Sequence, residues 1–206
     1  MVQTPIKPDT TPQPLSLSLP NDLGLMVTPE QFETLAASNR DLRLERTAQG
    51  QLIVNPPTGW ETGERNRSLT GQLDRWYEEH EDLGKAFDSS TGFTLPNGAN
   101  RSPDAAWVSR TRWDALRPEQ KGTFAEICPD FVVELRSGSD TFKALQVKMR
   151  EYIDNGAKLG WLIDPKQRRV EIYRPQSTVQ VLVQPTALSG EAVLPGFVLS
   201  FKRIWT

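Results

Sequence analysis

Hydrophobic spacing divides this chain into stretches of helical and of strand-like period. Thr28-Pro29-Glu30-Gln31 combines a helix N-cap, a proline suited to the first helical position and a Gln three residues after the Thr, which is a capping box. It predicts a helix to about Ser38. LRLERT (42–47) and QLIVN (51–55) alternate around Ala48-Gln49-Gly50, which is hairpin chemistry. Leu69, Leu73, Trp76 and Tyr77 fall at i, i+4, i+7 and i+8, one apolar stripe, and predict a longer helix over about 62–82, stopped by Gly84. From 85 the pattern turns to strand: KAFDSSTGFTL, a turn at Pro96-Asn97-Gly98, then RSPDAAWVS (101–109). After a short helix near 112–118 comes PDFVVELRS (129–137), an apolar run of buried-strand type. Ser137-Gly138-Ser139-Asp140 has capping-box form and is expected to open a helix to about Asn155, closed by Gly156. GWLID (160–164) is a further buried strand, and VEIYR, VQVLV and FVLSF are short strands between Gly/Pro turns.

The order helix, strands, helix, strand across 62–164 predicts an α/β layer: one mixed β-sheet flanked by helices, extended by the hairpin and by the C-terminal strands. A chain of 206 residues and 23.2 kDa fits a single domain, here 25–206. The first 20 residues hold five prolines and no helical period, so 1–24 is expected to be a flexible arm. With 37 % hydrophobic residues there is material for a real core. No stretch approaches the roughly 20 consecutive apolar residues of a membrane span, and the N-terminus lacks signal-peptide form. A cytoplasmic protein with no membrane partner is the expectation.

Composition narrows the chemistry. One Cys and one His exclude an internal disulfide and a closed structural zinc site, and leave no nucleophile–histidine pair unless His80 serves. His80 and Cys128 read as a helix-end residue and a core residue. The 24 basic and 26 acidic side chains give a net charge of −2, which disfavours a protein that simply coats phosphates. A metal-dependent enzyme acting on nucleic acid survives that objection, because an acidic centre offsets a basic rim.

Charges inside apolar strands carry the functional signal, since an unpaired buried charge is costly. In RSPDAAWVS, Asp104 shares a face with Ala106 and Val108; in PDFVVELRS, Glu134 and Arg136 share a face with Val132. Lys148 and Tyr152 lie at i and i+4 on the following helix. Adjacent strands with that helix packed over their ends would gather these groups in one cleft. Asp104 and Glu134, with the Leu135 backbone carbonyl, are hard oxygen ligands suited to Mg²⁺ or Mn²⁺. Such an ion polarises a phosphoryl oxygen and lowers the pKa of a bound water. Arg136 and Lys148 would offset charge developing on the phosphate, and Lys148 is the better proton carrier because Arg stays protonated.

Asp104 after Pro103, then Glu134-Leu135-Arg136, then Lys148 with Tyr152, resembles the PD-(D/E)XK nuclease superfamily. PDFVVELRS, KMREYIDNG, GWLIDP and VLPGF resemble more specifically the Uma-two family of putative restriction endonucleases, over roughly 25–205. The resemblance implies a restriction-endonuclease-like fold, a divalent-metal-dependent endonuclease hydrolysing DNA phosphodiester bonds, and Asp104 and Glu134 as metal ligands beside a basic residue. It also implies that a Glu near the start of the long helix joins the site, for which Glu61 and Glu64 are both eligible. A homodimer is the family and symmetry expectation for an enzyme cutting two strands. The chain departs from the superfamily pattern at Arg136, where a Lys is usual.

Blander readings stand beside these. Asp104 could close a turn, Glu134 and Arg136 could be a structural pair, and Lys148 could lie along a helix face. Asp130 is about 13 Å along the strand from Glu134, too far to share an ion. Trp60, Trp107, Trp113 and Trp161 are expected in the core or at its edge. The rivals to an active nuclease are a silent nuclease fold that binds nucleic acid or regulates, and an α/β domain in which these charges only pair.

Overall fold

The computed structural model describes residues 24–122 and 124–206; apart from Gly24, the expected arm lies outside them. Helix α1 (Pro29–Ser38) begins at Thr28, whose hydroxyl accepts from the Gln31 N–H while the Gln31 side chain accepts from the Thr28 N–H. Strands β1 (Arg43–Arg46) and β2 (Leu52–Asn55) form the expected antiparallel hairpin, with Gly50 at φ +96° in its turn. Helix α2 (Trp60–Glu78) buries Leu69, Leu73 and Trp76 along the expected stripe, and ends four residues earlier than the spacing suggests.

Four strands follow: β3 (Gly84–Asp88), β4 (Phe93–Thr94), β5 (Asn100–Arg101) and β6 (Ala105–Ser109). Gly84 is required where β3 meets β6, because a Cβ there would lie 2.2 Å from the Val108 carbonyl oxygen. Two short helices, α3 (Arg110–Asp114) and α4 (Pro118–Lys121), stand where one was expected. Then come β7 (Ala125–Glu126), β8 (Phe131–Leu135), helix α5 (Phe142–Asp154) and β9 (Leu159–Asp164). The chain closes with β10 (Arg169–Tyr173), β11 (Gln180–Val183), β12 (Ala187–Ser189) and β13 (Val198–Ser200).

The central sheet has the order β11-β10-β9-β8-β6-β3. Among the described strands of this sheet only β8 and β9 are parallel neighbours, and α5 makes the crossover that a parallel pair requires. The hairpin does not extend this sheet, as its pattern suggested. It joins β5, β4 and β7 in a second sheet, β2-β1-β5-β4-β7, because the free edge of β1 pairs through Arg46 with Asn100. Strands β10 and β11 do extend the central sheet, whereas among the described residues β12 and β13 pair only with each other.

Strand β8 shows how the core is divided. Phe131, Val133 and Leu135 point to the side packed by α2 and the C-terminal segment, with Trp161, Phe197 and Phe201. Val132 points the other way, into a cluster with Leu145, Met149 and Tyr152 of α5. Period two therefore places Glu134 beneath α5. Each large apolar side chain fully buried here contributes about 1.5–3 kcal/mol, so the sheet is a stiff platform for the charges it carries. A third cluster, with Phe32 and Leu44 at its centre, fastens α1 to the hairpin.

The start of α5 differs from expectation. Asp140 turns back to accept from the Ser137 N–H (2.7 Å) and hydroxyl (2.6 Å), closing residues 137–140 into a separate turn. Thr141 is left to cap the helix, its hydroxyl accepting from the Ala144 N–H.

Candidate active site

Between β5 and β6 the chain passes from the second sheet to the central one. Pro103 has no N–H for either ladder, and the Asp104 N–H donates to the Val133 carbonyl at 2.9 Å. That bond fixes the buried Asp104 carboxylate beside the end of β8, where its Oδ2 accepts from the Leu135 N–H at 2.8 Å. Glu134, one residue earlier, is buried beneath α5. Its Oε1 accepts from the Tyr152 hydroxyl at 2.9 Å and meets Lys148 Nζ at 2.8 Å. The i, i+4 pair on α5 thus grips one carboxylate oxygen. Asp104, Glu134, Leu135, Lys148 and Tyr152 are brought together as the sequence suggested, all but Tyr152 lining a cleft of about 800 Å³.

The other expected residues lie elsewhere. The Arg136 guanidinium meets the fully buried Asp164 at 2.7 Å, lies over the Phe142 ring and donates from Nε to the Asp140 carbonyl. It ties the ends of β8 and β9 together, and Lys148 is the cation on Glu134. Glu61 is on the cleft rim, its side chain 84 % exposed and paired with Arg65; Glu64 is exposed. The α2 residue that reaches Asp104 is Asn66, whose Nδ2 lies 3.5 Å from Oδ1.

Three further charged residues complete the site. Glu45 on β1 is buried and accepts from Lys148 Nζ (2.8 Å), the Ser102 N–H (3.0 Å) and Arg101 (3.3 Å). Arg101 also holds Glu151 of α5 at 2.6 Å. Arg43 meets Asp104 Oδ1 at 3.2 Å and donates to the Ser102 carbonyl at 2.7 Å. In LRLERT the alternation of Leu with charge reads as a strand with one wet face. The structure buries both faces, Leu44 under α1 and Glu45 over the cleft floor. Asn66 had a legible signal: it lies three residues before Leu69 and seven before Leu73, a polar side chain on the buried stripe of α2.

Lys148 is shared between two carboxylates, and they titrate differently. Burial pushes Glu45 up, but Lys148 and Arg101 outweigh burial and hold it below the usual carboxylate value. Burial raises Glu134 more than Lys148 lowers it, and neighbouring Asp104 and Glu45 add to the rise, bringing it to about 7. Burial would lower Lys148, yet Glu134 and Glu45 together raise it, so the ammonium keeps its charge. Burial, with Glu134 and Glu45 beside it, drives the Tyr152 phenol well above its ordinary value and keeps it a donor.

The donor set fits a hard divalent cation that retains water. Both polar contacts of Glu134 fall on Oε1, and among the described residues no hydrogen bond or ion pair falls on Oε2. The Asn66 amide oxygen is buried beside Asp104 without a donor. Among the described residues no group of three or more His, Cys, Asp or Glu side chains is placed to hold an ion. Two carboxylates and a carbonyl suit Mg²⁺, which keeps several waters and takes further oxygens from a phosphate substrate.

Asp130 and Cys128 stay outside this chemistry. Asp130 accepts from the Ser109 N–H and pairs with Lys158 and Arg112, and so anchors the start of β8. Cys128 is buried, and burial pushes its thiol up to about 12.

The fold is shared with a solved structure described as a putative nuclease belonging to DUF820 from Anabaena variabilis ATCC 29413. Similarity covers 79 % of this chain and 89 % of that one, with a TM-score of 0.66 and 21 % identity. This central sheet flanked by helices is the restriction-endonuclease-like α/β architecture that the family resemblance implied. No curated protein matches the sequence. No described helix is long and apolar enough to cross a membrane. The family model described as Uma2, putative restriction endonuclease, matches residues 29–202, and the chain belongs to that family.

Proposed function

We propose that this protein is a Mg²⁺- or Mn²⁺-dependent endonuclease that hydrolyses DNA phosphodiester bonds. The observation that supports this best is the pairing of Asp104 and Glu134 at the junction of two strands, opening into a cleft, with one Glu134 oxygen uncommitted. Membership of a family described as putative restriction endonucleases supports the same reaction. Asp104, Glu134 and the Leu135 carbonyl would hold the ion. When bound, it supplies Lewis acidity to the phosphoryl oxygen and lowers the pKa of water.

The rest of the chemistry belongs to the chain. The Leu135 N–H and Arg43 orient the Asp104 carboxylate, and the Tyr152 hydroxyl orients that of Glu134. Lys148 Nζ, held between Glu45 and Glu134, keeps positive charge beside the reacting phosphate and donates hydrogen bonds to its oxygens. Glu45 and Tyr152 position that ammonium, so they act through Lys148. Arg136 serves the scaffold by neutralising Asp164. Two copies of the chain would be needed to cut both strands of a duplex at once.

A second reading has its own observation. Lys148 already sits on Glu134 and Arg43 on Asp104, the pairing expected of a silent nuclease fold that only binds nucleic acid. Supercoiled plasmid and a single-stranded oligonucleotide separate the two readings. Cleavage by wild type with Mg²⁺ or Mn²⁺, lost in Asp104→Ala and Glu134→Ala, supports the nuclease. DNA binding without cleavage at any metal concentration overturns it in favour of the silent fold.

A further inference from the structure

Trp60 departs most sharply from its sequence reading. It was expected in the core or at its edge, yet it is 95 % exposed. Helix geometry explains this: Leu69 lies nine residues further along α2, about 180° around the helix at 3.6 residues per turn, so Trp60 faces away from the buried stripe. A lone exposed apolar side chain says little by itself; Trp60 is informative because it shares a charged cleft with a second exposed apolar residue. Pro56 and Pro57 restrain the backbone that delivers it, and Trp60 stands on the lip of the cleft whose floor holds Asp104 and Glu134.

The same cleft presents Val147 of α5, 58 % exposed, and the hydroxyls of Thr58, Ser137 and Ser139. Two exposed apolar side chains and three hydroxyls therefore line a cleft with a charged floor. A ligand with a flat apolar face and an anionic backbone matches that arrangement; a nucleotide has both. At about 800 Å³ the cleft falls in the size range of sites that hold a small ligand, which accommodates a nucleotide. Trp60 precedes Asn66 by six residues, about 9 Å of helix, and Asn66 reaches Asp104.

We propose that Trp60 is a nucleobase-stacking residue, receiving an unpaired base that flanks the phosphate held at Asp104 and Glu134. The proposal rests on the nuclease reading and specifies its substrate: a strand with at least one unstacked base beside the cut. Stacking is sequence-tolerant because every base offers a π face, so Trp60 contributes affinity and register without selecting a sequence.

The test compares full-length wild type with Trp60→Ala and Trp60→Phe. The probes are a fluorescein-labelled single-stranded 2-aminopurine oligonucleotide and its fully paired duplex. Anisotropy with Ca²⁺ in place of Mg²⁺ reads binding, Mg²⁺-dependent cleavage reads KM and kcat, and sedimentation reads assembly. Trp60→Ala should weaken single-strand binding and raise KM about tenfold, with kcat within about threefold, while Trp60→Phe stays near wild type. The 2-aminopurine emission should be quenched by wild type and not by Trp60→Ala. Equal binding and cleavage by wild type and Trp60→Ala overturns the stacking role and leaves the nuclease reading intact. A change of assembly in Trp60→Ala that accounts for its loss overturns it too, making Trp60 a contact between copies. Wild type that neither binds nor cuts DNA overturns both readings together.

Discussion

Lys148→Met is the perturbation whose consequence can be worked most closely from the structure. Lys148 Nζ lies 2.8 Å from Glu45 and 2.8 Å from Glu134, and its own side chain is only 13 % exposed. Methionine keeps most of the volume and removes the charge. Glu45 would retain Arg101, but Glu134 would be left under α5 with a tyrosine hydroxyl and no cation. Removing one partner of a buried pair costs about 3–5 kcal/mol, mostly from stranding the other charge. For a domain of this size each kcal/mol shifts the melting temperature by about 2–4 °C, so a fall of about 6–20 °C is expected. The assay is urea and thermal unfolding at about pH 8, above the value of about 7 to which Glu134 is pushed while Lys148 is present, so that the wild-type pair is charged. The double variant Glu134→Gln/Lys148→Met should recover about 0.5–3 kcal/mol relative to additivity. A loss below about 1 kcal/mol, the value of an exposed ion pair, would refute the reasoning.

Two other predictions concern charges outside the cleft. Asp130 is fully buried; burial raises its pKa, but the Ser109 N–H, Lys158 and Arg112 outweigh that and hold it below the usual value. Its stabilisation is therefore complete above the unfolded carboxyl value and fades as pH falls through the lower folded one. Asp130→Asn should cost about 1–3 kcal/mol at neutral pH, with the deficit shrinking below about pH 4 in melting curves. Arg136→Met should destabilise the fold by about 1–3 kcal/mol, because Asp164 loses its cation but keeps the Lys166 and Gln167 N–H bonds. Cleavage per folded molecule should stay within a few-fold of wild type in Arg136→Met and collapse in Lys148→Met.

What could be read from the chain followed from period and from the cost of buried charge. The period of two in PDFVVELRS placed Glu134 opposite Val133 and Leu135, and the structure puts it under α5. The i, i+4 relation of Lys148 and Tyr152 delivers both to that one carboxylate. Arg136 shows where the argument runs out. Sharing a strand face with Glu134 does not fix where a long side chain ends, and Asp164 on the neighbouring strand offers a fully buried partner. Glu45 was hidden for a different reason: an alternating strand looks half-exposed until a second layer covers its polar face. The separate sheet was equally hidden, because the Arg46–Asn100 pairing has no local signature. Asn66 was within reach, since a helical wheel puts it on the buried stripe of α2; Trp60 precedes the start at about 62 that the spacing suggests, so its outward orientation emerges only with the observed helix start.

The central claim is that Asp104 and Glu134 together hold a divalent cation. Calorimetric titration of Mn²⁺ into wild type, Asp104→Ala and Glu134→Ala tests it most directly. The account predicts saturable binding by wild type that is lost in both variants, with about 2.7 kcal/mol of added stability for wild type alone at a hundredfold excess over Kd. No binding by wild type, with both variants merely less stable, would contradict it and leave the two carboxylates as partners of Arg43 and Lys148.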